Sequence, residues 1–141
     1  MTQQQYLMQL SMFEQEARRI EEQIELANQQ INELENLKEN LKEINEGKEK
    51  EILANLGRGI FIKSEIKEKN LFVNIGSGIV MKKDAGETGE IIEKQVKQLD
   101  KIKDRLVDEL SKLNFELNRV IQEAQKQAKE HKHNHEHEHE E

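Results

Sequence analysis

Residues 51–83 read EILANLGRGIFIKSEIKEKNLFVNIGSGIVMKK, and the rest of the chain is organised around this stretch. Four short apolar runs occur in it, at 52–56, 60–66, 71–75 and 79–81. Polar residues 67–70 connect the second run to the third. The other two breaks contain the glycines Gly57, Gly59, Gly76 and Gly78, which supply the positive φ angles that tight hairpin turns need. The stretch therefore predicts two β-hairpins in tandem.

Closely spaced glycines also occur in loops that bind phosphate groups, so this function has to be considered for both turns. Neither turn has the GxxxxGK[ST] spacing of such a loop. Each turn is followed at once by another apolar run, and not by a helix whose N-terminus could face an anion. Hairpin turns are therefore the preferred interpretation.

Each predicted hairpin has an apolar face that needs cover. Ile60, Ile62 and Ile66 share one face of their strand, with Lys63 and Glu65 opposite. An isolated two-stranded hairpin is marginal in water, and the chain has no other globular segment to cover it. We expect another copy or a sister subunit to provide this cover. The predicted oligomerisation residues are Ile52, Leu56, Ile60, Phe61, Ile62, Ile66, Leu71, Val73, Ile75, Ile79 and Val80.

The composition favours long helices over a compact globule. Of the 141 residues only 34% are apolar while 36% are charged, and there is no proline to interrupt a helix. The absence of cysteine excludes disulfides and thiol catalysis and fits a cytoplasmic location. No apolar run approaches the roughly 18 residues of a membrane span, and the N-terminus does not resemble a signal peptide. A formal net charge of −7 argues against nucleic-acid binding.

Two heptad arrays flank the hairpins. Apolar residues recur at intervals of three and four, which is the coiled-coil pattern, and one lysine interrupts each array, Lys38 in the first and Lys103 in the second. These lysines either set the register of the helices or are simply tolerated with their charged ends in water. Gly47 is expected to end the first helix in a left-handed cap, and Asp84 or Thr88 to begin the second. The first array is Tyr6, Leu10, Phe13, Ala17, Ile20, Ile24, Ala27, Ile31, Leu34 and Leu41. The second is Ile92, Val96, Leu99, Leu106, Leu110, Leu113, Leu117, Val120 and Ala124.

Two arrays of nearly equal length around a β segment predict a mainly helical α+β fold. The helices are expected to fold back as a long antiparallel coiled-coil hairpin, each about 50 Å long, with the two β-hairpins at the bend. The alternative is a long parallel dimer whose hairpins bulge out in the middle of the rod. The predicted segments are an N-terminal helix at 1–47, the tandem hairpins at 48–85 and a C-terminal helix at 86–128. A tail at 129–141, rich in histidine and glutamate, is expected to be disordered.

The free ends of the two helices carry more apolar residues than one seam can absorb. Leu7, Met8, Met12 and Ile121 fall outside the heptad positions, so some of them should be exposed. Ordinary packing is one interpretation, and an adaptable surface for apolar partners is the other, because methionine and leucine side chains accommodate many shapes. The residues of this predicted surface are Tyr6, Leu7, Met8, Leu10, Met12, Phe13, Leu117, Val120, Ile121 and Ala124.

The chain has no arrangement of residues typical of an enzyme. Its histidines all lie in the tail, at 131, 133, 135, 137 and 139, and its carboxylates are scattered over helical faces that are expected to be exposed. Imidazole is a common ligand of transition metals, but no second shell that would fix a geometry is visible in the tail. We therefore expect no catalytic residues, no cofactor and no functional metal site.

With its helices and hairpins in this order, the chain resembles the alpha-class subunits of the prefoldin family of co-chaperones. The most specific segments are LGRGIF at 56–61 and VNIGSGIV at 73–80, and the resemblance extends to about Ala128. Two hairpins mark the alpha class, whereas a beta-class subunit has one. The resemblance implies a hexamer of two alpha and four beta subunits. Its hairpins would join an intersubunit β-barrel from which the coiled coils hang.

The same resemblance implies an ATP-independent holdase. The coiled-coil tips would capture unfolded client polypeptides and deliver them to a group II chaperonin, so the apolar residues at the helix ends would form the client-binding surface. Two alternatives remain open, a structural filament built by an alpha-like paralogue and a coiled-coil scaffold or adaptor for one defined partner helix.

Overall fold

The structure, a computed structural model, describes residues 2–48 and 50–139, with side chains described as far as residue 130. A first helix, α1 (Gln3–Glu46), precedes the strands, and a second, α2 (Ala85–His139), follows them. The strands are β1 (Glu51–Gly57), β2 (Ile60–Glu65), β3 (Leu71–Gly76) and β4 (Ile79–Lys83). Two long helices on either side of two small antiparallel hairpins confirm the order of elements that was predicted.

The contacts divide the chain into two units. The first unit contains the chain up to Asn28 together with the chain from Lys101 onward. The second unit is Gln29–Asp100, which contains the end of α1, the four strands and the beginning of α2. Each unit has its own stretch of helical seam.

The seam of the first unit is narrow and follows the predicted spacing. Tyr6, Ile20 and Ala27 of α1 and Val120 of α2 are buried. The remaining heptad positions of this unit are half-buried, which confirms the periodicity predicted for both arrays. These half-buried residues are Leu10, Phe13, Ala17, Ile24, Leu106, Leu110, Leu113, Leu117 and Ala124.

The seam of the second unit is interrupted by an ion pair. Ile92 and Val96 of α2 are buried, and the α1 residues Ile31, Leu34 and Leu41 are half-buried. Where the pattern would place an apolar residue, α1 has Lys38, whose Nζ lies 2.5 Å from a carboxylate oxygen of Glu93. Both side chains remain almost half exposed, so the charges keep part of their hydration.

Side chains cap the N-termini of both helices. At α1 the Gln5 N–H donates to Thr2 Oγ1 (3.2 Å) and the Thr2 N–H donates to Gln5 Oε1 (2.9 Å), which is a capping box. At α2 the Glu87 N–H donates to Asp84 Oδ1 at 2.7 Å, so Asp84 is the N-cap. Thr88, the other candidate, is buried inside the helix and donates its hydroxyl to the Asp84 carbonyl at 2.8 Å.

The helix α1 ends where it was predicted to end, but the reason for glycine at this position differs from the prediction. The helix ends at Glu46, next to Gly47 as expected, but Gly47 is not among the glycines with a positive φ. Its N–H instead closes one more helical turn onto the Glu43 carbonyl at 2.8 Å. A Cβ at this position would lie 2.5 Å from that carbonyl oxygen. Glycine is therefore required here for space and not for a left-handed cap.

The two hairpins are closed by the same turn. In β1–β2, Asn55 pairs with Phe61 and Gly57 with Ile60, which leaves Leu56 as a bulge; in β3–β4, Ile75 is the equivalent bulge. The N–H of the glycine after each bulge donates to the side-chain oxygen of the preceding asparagine, at 2.8 and 2.9 Å. This geometry confirms hairpin turns. The two hairpins form separate two-stranded sheets.

The tail also differs from the prediction. Residues 129–141 were expected to be disordered, whereas α2 continues without interruption to His139. Neither glycine nor proline occurs between residue 90 and the end of the chain, so no helix-terminating signal is present, and Lys, Gln and Glu favour helix. The last two residues lie outside the described part.

Candidate functional site

Three exposed apolar residues lie close together near the start of α1. Leu7, Met8 and Met12 expose 66%, 64% and 69% of their surface. Met8 and Met12 are four residues apart in a helix, so they are neighbours on one face. We call these three residues the end patch. Burial of such side chains against a partner is favourable by about 1.5–3 kcal/mol each.

Most other residues predicted for this surface belong to the helical seam. Tyr6 and Val120 are buried, at 9% and 4% exposure. The side chains of Leu10, Phe13, Leu117, Ile121 and Ala124 are half-buried. Their part in binding stays a prediction.

The sequence around the end patch carries no charge. From Thr2 to Phe13 the chain reads TQQQYLMQLSMF, and the first ionisable carboxylate after it belongs to Glu14. Contacts made by this stretch are therefore apolar or neutral hydrogen bonds. Such a surface has little means of selecting a partner by charge, which suits varied apolar partners.

The hairpins expose a second and larger set of apolar residues, which we call the strand surface. Leu56, Ile60 and Phe61 are between 55% and 67% exposed in the hairpin β1–β2. In the hairpin β3–β4, Ile79 and Val80 are 55% and 56% exposed. Of the other residues predicted for oligomerisation, Ile52, Ile62 and Ile75 are exposed, while Ile66, Leu71 and Val73 are half-buried.

The prediction for the hairpins missed three exposed apolar residues. Leu53, Phe72 and Met81 are 66%, 70% and 44% exposed and belong to the strand surface as well. Leu53 is opposite Lys63 and Phe72 is opposite Lys82, on the strand faces that were expected to be polar. The signal in the sequence was the continuous apolar run at the start of β1 and of β3, which indicates strands with apolar side chains on both faces.

Ion pairs surround the strand surface. Lys63 reaches Glu51 across the first hairpin at 3.6 Å. Lys82 lies 2.7 Å from Glu68 and 6.0 Å from the ring centre of Phe72. The hydrogen bond from Lys82, reinforced by its charge, lowers the pKa of Glu68. The apolar strands are thus bordered by charges that already have partners, an arrangement typical of interface rims.

A surface cleft lies beside the first hairpin, with a volume of about 420 Å³. Its lining consists of Lys50, Glu51, Ile52, Leu53 and Lys63. Within the residues whose side chains are described, no group of three His, Cys, Asp or Glu is placed to hold a metal ion. The tail histidines lie beyond those residues. Neither helix, over its described length, has a segment long and apolar enough to cross a membrane.

A family model described as "Prefoldin subunit" matches residues 13–130, which is most of the chain. A solved structure of filamentous PFD from Methanocaldococcus jannaschii is similar, with a TM-score of 0.47 and 21% sequence identity, covering 85% of this chain and 95% of that one. The search of curated proteins found no match.

Prefoldins are non-enzymatic chaperones, which agrees with the prediction that this chain is not an enzyme. They generally form oligomers with other prefoldin subunits, which agrees with a strand surface left uncovered in the single chain. The matched region contains both hairpins and all but the first turns of α1. The family model thus matches both hairpins and most of each helix. This chain therefore belongs to the prefoldin subunit family.

Proposed function

We propose that the chain is an alpha-class prefoldin subunit and works as an ATP-independent holdase in the cytoplasm. In this proposal the end patch captures unfolded client polypeptides, and the assembly delivers them to a group II chaperonin. The observation that carries it is the exposure of Leu7, Met8 and Met12, each about two-thirds accessible on a helix that begins only a few residues earlier. The holdase role and the delivery step come from the family.

The chemistry of the end patch supports capture of many different clients. Unfolded chains share exposed apolar side chains but no common shape or charge. Methionine and leucine can adapt to such side chains, and the uncharged stretch around them excludes few sequences. Binding would need no nucleotide, because burial of apolar surface supplies the free energy.

The number of hairpins supports the alpha class and a place in a hexamer. Two hairpins, each with apolar residues on both faces, offer more strand surface than one hairpin could. We propose that they join an intersubunit β-barrel in a complex of two alpha and four beta subunits. The long helices, which carry the end patch, would then extend from the barrel.

The test of client capture is the double substitution Met8→Glu with Met12→Glu. Two carboxylates would replace apolar contacts at exposed positions, so assembly should be unaffected while capture weakens at least about tenfold. The measurement is suppression of aggregation of several unrelated denatured proteins without ATP. The matched control is Leu26→Glu with Leu37→Glu, at the 54% and 45% exposed residues further along α1, which should leave capture unchanged.

Each alternative function predicts a different experimental outcome. Unchanged capture by the Met8→Glu, Met12→Glu protein would contradict a role for the end patch. Binding of one defined partner, with no suppression of aggregation of unrelated proteins, would indicate an adaptor. Long end-to-end polymers in electron micrographs would indicate a filament-forming paralogue.

A further inference from the structure

The methionines of this chain are unevenly distributed between its two surfaces. The chain has four, and two of them, Met8 and Met12, make up most of the end patch. Met81 lies on β4 opposite Val73 and is 44% exposed, compared with 64% and 69% for Met8 and Met12. Met1 lies outside the described residues. The most accessible thioethers among the described residues are therefore in the end patch.

Exposed thioethers react with peroxides in a simple two-electron step. The sulfur attacks one peroxide oxygen, the O–O bond breaks, and the oxygen that is transferred forms the sulfoxide while the other leaves as water. The sulfur is oxidised and the peroxide is reduced, so hydrogen peroxide is the only co-reactant. The product is polar and chiral, and it no longer behaves as an apolar side chain.

The surroundings of Met8 and Met12 make this change consequential. They are neighbours on one helix face, so after both have reacted two polar sulfoxides would lie side by side on that face. The stretch from Thr2 to Phe13 has no charged side chain that could hold a partner once the apolar contacts are weakened. Leu7 alone would remain of the end patch.

We propose that Met8 and Met12 form a sulfoxidation site that switches off the end patch. This inference rests on the proposed function, since it assigns a chemical control to the proposed client-binding surface. The modification is reversible, because methionine sulfoxide reductases restore the thioether. Met81 is less exposed than Met8 and Met12 already in the single chain, and in the proposed assembly it would lie against partner subunits, so we expect the reaction to favour the end patch.

The experiment treats the assembled protein with hydrogen peroxide and follows two quantities. Peptide mass mapping gives the fraction of each methionine that has gained one oxygen, and suppression of client aggregation gives capture. We expect Met8 and Met12 to oxidise before Met81, and capture to fall about tenfold as both become sulfoxides. Incubation with both methionine sulfoxide reductases, one for each sulfoxide epimer, and with a dithiol that supplies the two electrons for each reduction should restore capture.

Two variants separate this site from general oxidative damage. Met8→Leu with Met12→Leu removes both sulfur atoms at nearly the same side-chain volume. Whatever capture this variant shows before peroxide treatment should be unchanged after it. Met81→Leu should lose capture on oxidation as the unmodified protein does. Equal loss in the Met8→Leu, Met12→Leu protein, or full capture by a protein oxidised at both positions, would overturn the inference.

Failure of the proposed function would give a different result. Untreated protein that captures no client would contradict the holdase role. The proposed sulfoxidation site would then be tested by the order in which the methionines oxidise and by the binding of an apolar fluorescent dye. Dye binding should fall on oxidation in the unmodified protein and persist in the Met8→Leu, Met12→Leu variant. Met81 oxidising first, or no loss of dye binding, would overturn it.

Discussion

At the scale of single residues, the hairpin turns depend on three consecutive left-handed positions. In the second hairpin Gly76, Ser77 and Gly78 have φ angles of 115°, 52° and 76°, and the first hairpin is almost the same, with Arg58 in the place of Ser77 at 51°. Positive φ at both central residues is typical of the type I′ turn, which matches the twist of paired strands. The asparagine side chain before each bulge then satisfies the first glycine N–H.

Gly78→Ala and Gly89→Ala should have opposite effects on stability. At Gly78 a Cβ would meet no neighbour within 4 Å, but a φ of +76° disfavours any L side chain, so alanine should destabilise the chain by about 1–2 kcal/mol. Gly89 lies inside α2 with open space and no positive φ, so alanine there should stabilise by about 0.5–1 kcal/mol. Chemical denaturation measures both. Equal effects of the same sign would contradict the assigned turn.

Asp84→Ala should destabilise α2 by about 1 kcal/mol, because it removes the acceptor for the Glu87 N–H at the helix start. The matched control is Asp100→Ala, at an exposed position inside the same helix. That change should be near neutral or slightly favourable, since alanine has the higher helix propensity. Thermal unfolding followed by far-ultraviolet circular dichroism compares the two variants. A loss of stability at Asp100 as large as that at Asp84 would contradict the cap.

At the scale of elements, the Lys38–Glu93 pair is the feature that the heptad pattern alone could not interpret. The sequence showed that Lys38 occupies a seam position, and either a role in register or simple tolerance of the charge could explain it. The structure supplies the partner: Nζ lies 2.5 Å from Glu93. The hydrogen bond and charge of Glu93 raise the pKa of Lys38, and the same two contributions from Lys38 lower the pKa of Glu93.

Charge reversal should show that this pair aligns the two helix segments. Lys38→Glu alone would place two carboxylates together, and Glu93→Lys alone two ammonium groups, so each should lower the unfolding midpoint. The combined variant should recover most of the loss, which a double-mutant cycle measures. Reversal of the Lys112–Asp108 pair within α2, also exposed, is the control and should show weaker coupling. No coupling at neutral pH would contradict the account.

The coupling should depend on pH in a defined window. The pKa of Glu93 is lowered from 4.5, so its contribution is present above that value and is lost as pH falls through the lowered pKa. The pKa of Lys38 is raised from 10.5, so its contribution is complete below that value and is lost as pH rises through the raised pKa. Coupling that persists undiminished at strongly acid pH would contradict the ion pair.

The elements themselves were largely predictable from local patterns. Repeats of three and four located both helical seams, and glycine spacing located both turns. The mechanism at Gly47 was not predictable, because it depends on a distance to the Glu43 carbonyl that sequence does not contain. Leu53 and Phe72 were missed because alternation was expected where the apolar run is continuous.

At the scale of the whole molecule, the single chain buries few apolar side chains and exposes many. In the part of the chain whose side chains are described, every large side chain keeps at least 2% of its surface exposed. The strand surface meanwhile includes residues such as Phe72 at 70% exposure. Exposed apolar side chains grouped on a small element, as on each of these hairpins, mark interaction sites in soluble proteins. The sequence predicted that the hairpins need partners, and the family indicates that these are other prefoldin subunits. The number of partners is part of our proposal.

Ile62→Lys should abolish assembly while barely changing the single chain. Ile62 pairs with Ala54 in the first hairpin and is 52% exposed, so the stability of the lone chain should change by no more than about 0.5 kcal/mol. In the assembly the lysine would be buried without a partner, which is costly. Leu26→Lys, at a 54% exposed residue of α1, is the control and should assemble normally. Light scattering after size separation measures both.

We propose that other prefoldin subunits complete the strand surface. The most direct test is the native mass of this chain after it is mixed with a shorter, one-hairpin prefoldin subunit from its own source. We expect a stable complex with two copies of this chain and four of the partner, in which the β1–β4 amides are more strongly protected from hydrogen exchange than in the single chain. A chain that stays monomeric beside that partner, with the same amides already protected, would contradict it.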